Sequence, residues 1–124
     1  MNGIEKNIWL ITLPRQVLWL FVVLNIASML LYPGSTYRDH FTLGYSFTEN
    51  FLSDLGRTLT YSGGINFLSS QLFNMSLVLA GGVFALFYLH VRKVINSNEQ
   101  KTLAFIGSFF GILGGISLAG VGLT

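Results

Sequence analysis

The sequence predicts an all-α, polytopic membrane protein with three transmembrane helices and one short amphipathic helix at the membrane surface. Of the 124 residues, 52% are hydrophobic and only 10% are charged, whereas a soluble globular domain carries about 25% charged residues. Three apolar segments are each long enough to cross a bilayer core of about 30 Å. The longest polar stretch of the chain is one insert between the first two segments. We therefore expect a single membrane domain over residues 1–124, with the lipid bilayer as its main partner.

Composition excludes several classes of protein. The net charge of +2 is small, and no basic cluster resembles a nucleic-acid footprint, so we expect no nucleic-acid partner. The chain has no cysteine, which excludes disulfides, thiolate nucleophiles and cysteine metal sites. His40 and His90 fall on opposite sides of the predicted membrane, and neither has enough neighbouring ligands for zinc. We therefore expect no metal and no cofactor.

The first predicted span covers residues 13–32. Pro14 is typical of the first turn of a helix, and Pro33-Gly34 is typical of its end. A cleaved signal peptide is the alternative interpretation. The apolar run is longer than a signal peptide usually has, and no Ala-x-Ala-like cleavage site follows it, so the membrane span is favoured.

The second and third predicted spans cover residues 70–91 and 102–123, and each would reach about 33 Å as a helix. Basic residues lie before or at the start of the first span and separate the second from the third: Lys6, Arg15, Arg92, Lys93 and Lys101. The positive-inside rule places these flanks in the cytoplasm. The N-terminus then lies inside, while the first loop, residues 33–69, and the C-terminus face outward. We expect the membrane to be a prokaryotic cytoplasmic membrane.

Small residues form stripes on the last two spans. The third span has them at four-residue spacing, and the second span offers two more: Gly107, Gly111, Gly115 and Ala119, with Gly81 and Ala85. Such stripes let helix backbones approach closely. One interpretation is a homo-oligomer that forms through the stripe of the third span. The other, which we favour, is packing between the spans of one chain.

The outward loop contains a pattern for a short helix. Ser46 and Glu49 have the spacing of a capping box, and Gly56 can end a helix in the left-handed conformation. The sequence therefore predicts an amphipathic helix over residues 47–55 at the membrane surface. Its apolar face would hold Phe47, Phe51, Leu52 and Leu55, with Glu49, Asn50, Ser53 and Asp54 on the opposite side. Ser62-Gly63-Gly64 predicts a turn downstream.

Polar residues of this loop and of the second span form the candidate binding site: Glu49, Asn50, Ser53, Asp54, Arg57, Gln71 and Asn74. Two carboxylates with a nearby arginine are suited to acid–base chemistry or to phosphate binding. Asp54 and Arg57 are three residues apart and close enough to pair. The alternative interpretation is a capped, solvated helix whose charges keep it at the surface.

The segment from residue 50 to residue 82 resembles the signature region of the domain of unknown function 998 (DUF 998) family of polytopic membrane proteins. The matching positions are Ser53, Leu55, Gly56, Phe73, Asn74 and Gly81. The resemblance implies an outward loop after the first span, and a protein of about six spans. We therefore expect this chain to be the N-terminal half of a longer protein. The family implies no particular reaction.

Three classes of function agree with these observations. The favoured one is an integral membrane protein whose outward polar segment organises the helix bundle and also binds a lipid head group, a small amphiphile or a partner. The second is a membrane-embedded enzyme acting on a lipid or small amphiphile at the outer leaflet, with Asp54 or Glu49 as acid or base and Arg57 as an anion clamp. The third is a transporter component with Asn25, Gln71 and Asn74 along its path, since transporters place polar residues near the midplane.

Overall fold

The computed structural model describes residues 2–95 and 98–123, and this part of the chain is helical with irregular connections and no β-strand. In chain order it contains α1 (Gly3–Asn7), a π-helix (Ile8–Thr12), α2 (Leu13–Leu31), a 3-10 helix (Leu52–Gly56), α3 (Phe67–Val94) and α4 (Asn98–Leu123). Three helices are long and apolar enough to cross a membrane. The predicted fold class is confirmed.

The first membrane helix is longer than expected. α1, the π-helix and α2 follow one another without a break, so that the helix runs over 29 residues from Gly3 to Leu31. It begins with a capping box in which Asn2 Oδ1 accepts from the Glu5 N–H at 2.8 Å and the Glu5 carboxylate accepts from the Asn2 N–H at 3.4 Å. The α-helical part α2 begins at Leu13, where the predicted span begins, but the helix continues toward the N-terminus, so Pro14 lies inside a continuous helix rather than in its first turn.

The π-helix explains how Pro14 is accommodated. Within an α-helix the proline ring crowds the carbonyl four residues earlier and removes a hydrogen bond. Immediately before Pro14 the Leu13 N–H donates to Ile8 O, five residues back, which is the wider π pattern. The extra residue in this turn lets the helix continue past the proline.

α3 and α4 extend beyond the second and third predicted spans. α3 has 28 residues, or about 42 Å at the α-helical rise, which exceeds the bilayer core of about 30 Å. α4 has 26 residues. Both helices therefore carry at least one turn that reaches the head-group region.

The contacts of the chain divide it into two compact units. The first contains the described residues up to Phe21 and those from Leu77 onward, and the second is Val22–Ser76. In the first unit the stripes of α3 and α4 meet. A Cβ on Gly115 would lie 2.7 Å from Gly81 O and 2.8 Å from Ala85 N, and one on Gly81 would fall on the backbone of Gly115 and Ala119. The two helix backbones are thus in direct contact.

The remaining stripe positions differ in their surroundings. A Cβ on Gly111 would fall on the ring of Tyr88, whereas one on Gly107 would stand in open space. The first unit also holds a ring pair between Trp9 of the π-helix and His90 of α3. Their ring centroids are 4.4 Å apart and the planes are within 6° of parallel. This stacking joins the N-terminal helix to α3.

In the second unit, hydroxyl and amide groups hold α2 against α3. Ser28 Oγ lies 2.8 Å from both the carbonyl oxygen and the hydroxyl of Ser69. Asn25 Nδ2 donates to Ser76 Oγ at 3.1 Å, and Ser76 Oγ donates to Phe73 O. These side chains are buried. Burying an unpaired amide in an apolar medium is unfavourable. These polar groups inside the helix pair therefore form hydrogen bonds with one another.

Candidate functional site

Residues 33–66, which join α2 to α3, fold into an ordered segment that we call the cap. It has little regular secondary structure, with one 3-10 helix and two isolated bridges, Gly34 with Leu43 and Leu59 with Ile65. Side-chain hydrogen bonds therefore have to satisfy much of its backbone. The polar residues of the insert supply these bonds.

Ser35 lies at the centre of the cap. It is 1% exposed and its φ is +72°, a left-handed conformation that only a few per cent of non-glycine residues adopt. Its carbonyl accepts from Tyr32 Oη at 3.2 Å and from Asn50 Nδ2 at 3.0 Å, and its hydroxyl accepts from the Ser62 N–H. Its own N–H donates to Thr42 O at 2.8 Å. One residue thus ties together four parts of the cap, which offsets the cost of its backbone conformation.

The amphipathic helix predicted over residues 47–55 does not form. Residues 47–49 make a turn, and helix geometry is confined to the 3-10 helix from Leu52 to Gly56. The Ser46 capping box is also absent, because the Ser46 hydroxyl contacts Thr48 Oγ1 and its N–H donates to Asn50 Oδ1 at 3.0 Å. Asn50 thus accepts the hydrogen bond from the Ser46 N–H that the sequence pattern predicts for Glu49.

The expected faces of this segment are only partly found. The positions assigned to water, Asn50 and Asp54, are buried, while Phe47 and Phe51 of the expected apolar face are exposed. Leu55 is fully buried, and Glu49 and Ser53 are exposed, as expected. The polar side chains turn inward because the cap interior offers unpaired backbone and hydroxyl groups that need hydrogen bonds.

Asp54 is a structural carboxylate. It is 3% exposed. Its Oδ2 accepts from Asn50 Nδ2 and from the Phe51 N–H, each at 3.0 Å, and its Oδ1 accepts from Tyr61 Oη at 2.8 Å. A buried charge requires such partners. The carboxylate that the sequence offered as an acid or base therefore has both oxygens occupied by the cap itself.

Arg57 does not pair directly with Asp54. Its Nε donates to Leu59 O at 3.2 Å, and its guanidinium lies 4.3 Å from the centroid of the Tyr61 ring. The Tyr61 ring also stacks with His40 at 6.3 Å. The pKa of the Tyr61 phenol is raised above its ordinary value of 10.0, mainly by the hydrogen bond to Asp54 and secondly by burial. Tyr61 thus remains a hydrogen-bond donor to Asp54 at neutral pH.

The downstream half of the cap docks on α3. The predicted turn at Ser62-Gly63-Gly64 is confirmed, with the Gly63 N–H donating to Thr60 O and a φ of +83° at Gly63. Asn66 Nδ2 donates to Leu55 O and Arg57 O at 3.1 and 2.8 Å. These two bonds clamp the end of the 3-10 helix to the start of α3.

A close approach at Gly56 completes the docking. A Cβ on Gly56 would lie 2.8 Å from the Phe73 ring and 2.9 Å from Asn74 Oδ1. Asn74 Nδ2 in turn faces Gly56 O at 3.5 Å. Gly56 is thus required for its size at this contact. Asn74 takes part in positioning the cap.

The cap also forms a small cavity of about 300 Å³, which is at the lower end of the size range of ligand sites. Its lining combines one cation, one carboxylate, a hydroxyl, an amide and two aromatic rings: Arg38, Glu49, Thr48, Asn50, Tyr37 and Phe51. Tyr37 and Phe51 are exposed. The cavity thus presents opposite charges and aromatic surface to a molecule that enters it.

The structure separates the candidate residues into groups. Glu49 and Asn50 line the cavity. Asp54, Arg57 and Asn74 serve contacts within the cap and with α3. Ser53 and Gln71 are exposed and are not part of the cavity lining. The seven residues therefore do not form one site.

Sequence reasoning missed Ser35, Tyr37, Arg38 and Tyr61. A tyrosine–arginine pair at positions 37 and 38, in a loop that also contains Glu49, was an available signal for a charged cavity. No sequence signal marks Ser35, because its role depends on a left-handed backbone that serine rarely adopts.

Comparison of this chain with protein-family models, with curated proteins and with solved structures finds no match. The resemblance to the DUF 998 family therefore stays a prediction carried by the residues given above. What the cap can bind has to be argued from its own chemistry.

Proposed function

We propose that the protein is an integral membrane protein whose cap binds the head group of a zwitterionic lipid or of a similar small amphiphile. The observation that carries the proposal is the cavity in which Arg38 and Glu49 offer opposite charges beside Tyr37 and Phe51. A guanidinium matches the geometry of a phosphate or carboxylate. A carboxylate together with aromatic rings suits an ammonium group.

The outer surface of the cap supports a membrane-associated role. Several large apolar side chains project from it, with exposures of 92% for Phe41, 93% for Leu43 and 81% for Phe47. Exposed apolar surface of this kind marks sites of contact with a membrane or a partner. In our proposal these side chains enter the interfacial region of the outer leaflet and bring the cavity to the level of the head groups.

The structure gives less support to the other two functions. An enzyme that used Asp54 would need a carboxylate oxygen facing its substrate, but both oxygens accept hydrogen bonds within the cap. A transport path along Asn25 and Gln71 would need both to line one route. Asn25 is instead bonded to Ser76 inside the helix pair, and Gln71 is exposed.

The proposal is tested with the full chain in detergent micelles and a short-chain phosphatidylcholine as titrated probe. We expect Arg38→Gln and Glu49→Gln each to weaken binding about tenfold, the effect of losing one charged contact of about 1.4 kcal/mol. Arg15→Gln is the matched control because Arg15 is exposed on α2, outside the cap. Its affinity should equal that of the wild type.

A second probe identifies the part played by each charge. Short-chain phosphatidic acid has the phosphate but no ammonium group, so Glu49→Gln should leave its binding unchanged or improve it, whereas Arg38→Gln should weaken it. Equal affinity of the wild type and both cap variants for phosphatidylcholine would refute the proposal.

A further inference from the structure

A second cavity, separate from the cap, lies where α3 ends and α4 begins. Its volume is about 270 Å³, and it is lined by Arg92, Lys93, Ile95, Lys101 and Phe105. Three of these five side chains are basic. The other two are apolar. Such a lining is suited to an anion that has an apolar part.

The two helices both contribute to this cavity, and contacts hold its walls. The Arg92 guanidinium of α3 lies 6.0 Å from the centroid of the Phe105 ring of α4, at the outer limit of a cation–π interaction. Lys101 Nζ donates to Asn98 Oδ1 at 3.4 Å. Arg92 of α3 thus lies against Phe105 of α4, while Lys101 bonds within α4 itself.

Two ordinary explanations account for part of this charge. Cations in the last turn of a helix, here Arg92 and Lys93 of α3, interact favourably with its dipole. Basic residues next to spans also set the orientation of a membrane protein. Lys101 lies near the start of α4, where the helix dipole disfavours a cation. Neither explanation requires it to line the same cavity as Arg92 and Phe105.

We propose that this cavity binds the phosphate-bearing head group of an anionic phospholipid. It lies at the ends of two membrane-spanning helices, which is the depth of the head groups. Basic cavities between such helices are suited to anionic lipid head groups. Ile95 and Phe105 provide apolar surface for the glycerol and the first acyl carbons. The ligand class differs from the zwitterion of the cap, because this lining includes three basic side chains.

Native mass spectrometry of the full chain tests the proposal. The protein is released from mixed micelles of phosphatidylcholine and phosphatidylglycerol, and the two retained lipids are counted. We expect the wild type to prefer phosphatidylglycerol. Lys101→Gln should lower its affinity for that lipid about fivefold, as expected for one basic residue at a membrane surface.

Lys6→Gln is the matched control, because it removes the same charge from an exposed position in α1. It should leave the preference unchanged. Phe105→Leu removes the aromatic contact of Arg92 without changing the net charge, and it should also lower the preference. Equal preference in Lys101→Gln and Lys6→Gln would overturn the proposal.

A separate arm distinguishes a lipid from a soluble anion. Inorganic phosphate is titrated into the protein in a neutral detergent, and thermal stability is followed. Phosphatidylglycerol should raise the melting temperature at concentrations where inorganic phosphate has no effect. Equal stabilisation by both would overturn the lipid assignment and identify a site for a free anion.

Discussion

At the residue scale, the cap depends on buried polar side chains that form hydrogen bonds within it. Ser35 and Asp54 are each nearly inaccessible to solvent. Ser35 accepts hydrogen bonds from Tyr32, Asn50 and Ser62. Asp54 accepts them from Asn50, Phe51 and Tyr61. Buried hydrogen bonds to a charged group are the stronger ones, at about 1.5–3 kcal/mol. We therefore expect these residues to determine whether the cavity keeps its shape.

Substitution of Asp54 tests this role. Asp54→Asn replaces one acceptor oxygen by an amide that cannot accept from Tyr61 or from the Phe51 N–H, so the cap should lose about 1.5–3 kcal/mol of stability. The measurement is thermal unfolding in micelles, together with the rate of proteolysis within residues 33–66. Faster cleavage with unchanged helix content would show that the cap opens locally.

Glu49→Gln is the control for that experiment, because Glu49 is an exposed carboxylate of the same segment. A surface substitution of this kind changes stability by no more than about 0.5 kcal/mol. If both variants unfolded and were cleaved alike, Asp54 would not be the structural centre that its hydrogen bonds indicate.

At the element scale, close backbone packing joins α3 to α4. Gly81 and Gly115 face each other so tightly that neither has room for a methyl group, whereas a Cβ on the neighbouring Gly82 or Gly114 would meet no atom within 4 Å. The contact therefore depends on which glycine of each adjacent pair faces the other helix. Two glycine pairs that look alike in sequence have different roles.

This difference leads to a matched pair of variants. Gly81→Ala should force the helices apart and destabilise the packing by about 1–3 kcal/mol, the usual cost of overpacking. Gly82→Ala, one residue away on the same helix, should be neutral or slightly stabilising because alanine favours the helix. Unfolding by titration with a denaturing detergent measures both, and equal stability of the two variants would contradict the packing described here.

The membrane helices were predictable from sequence because their signal is summed over many residues. In a bilayer, a run of about twenty apolar residues forms a helix, because the helix satisfies the backbone hydrogen-bonding groups within the segment itself. The start of the first helix was not predictable, because Pro14 is equally compatible with a first turn and with an interior position after a π-turn. Local chemistry alone does not distinguish the two.

The cap was less predictable for a related reason. The pattern at residues 46–56 fits an amphipathic helix, but the alternative bonds of Asn50 and Asp54 are made to Ser35 and Tyr61, 15 and 7 residues away. These partners are set by tertiary structure. An isolated helix of this length is marginal in water. The tertiary hydrogen bonds, rather than local helix propensity, therefore determine the conformation of this short segment.

At the scale of the whole molecule, the distribution of charge and apolar surface fits a bilayer. Most of the large hydrophobic side chains along the three long helices are exposed, and lipid would cover them in a membrane. Five of the seven basic residues lie in the N-terminal half of the first long helix, in the last turn of α3 or near the start of α4, and the other two lie in the cap. By the positive-inside rule we propose that the regions with the five basic residues are cytoplasmic and that the cap lies on the outer side.

The absence of cysteine allows a direct test of this orientation. Ser53→Cys places a thiol on an exposed position of the cap, and Gly3→Cys places one in open space near the N-terminus. In intact cells a membrane-impermeant maleimide should label Cys at position 53, and it should label position 3 only after permeabilisation. The opposite pattern would place the cap in the cytoplasm. The cavity of the cap would then face the inner leaflet. Lipid binding in micelles does not depend on orientation, so the lipid experiment and the orientation experiment can fail independently.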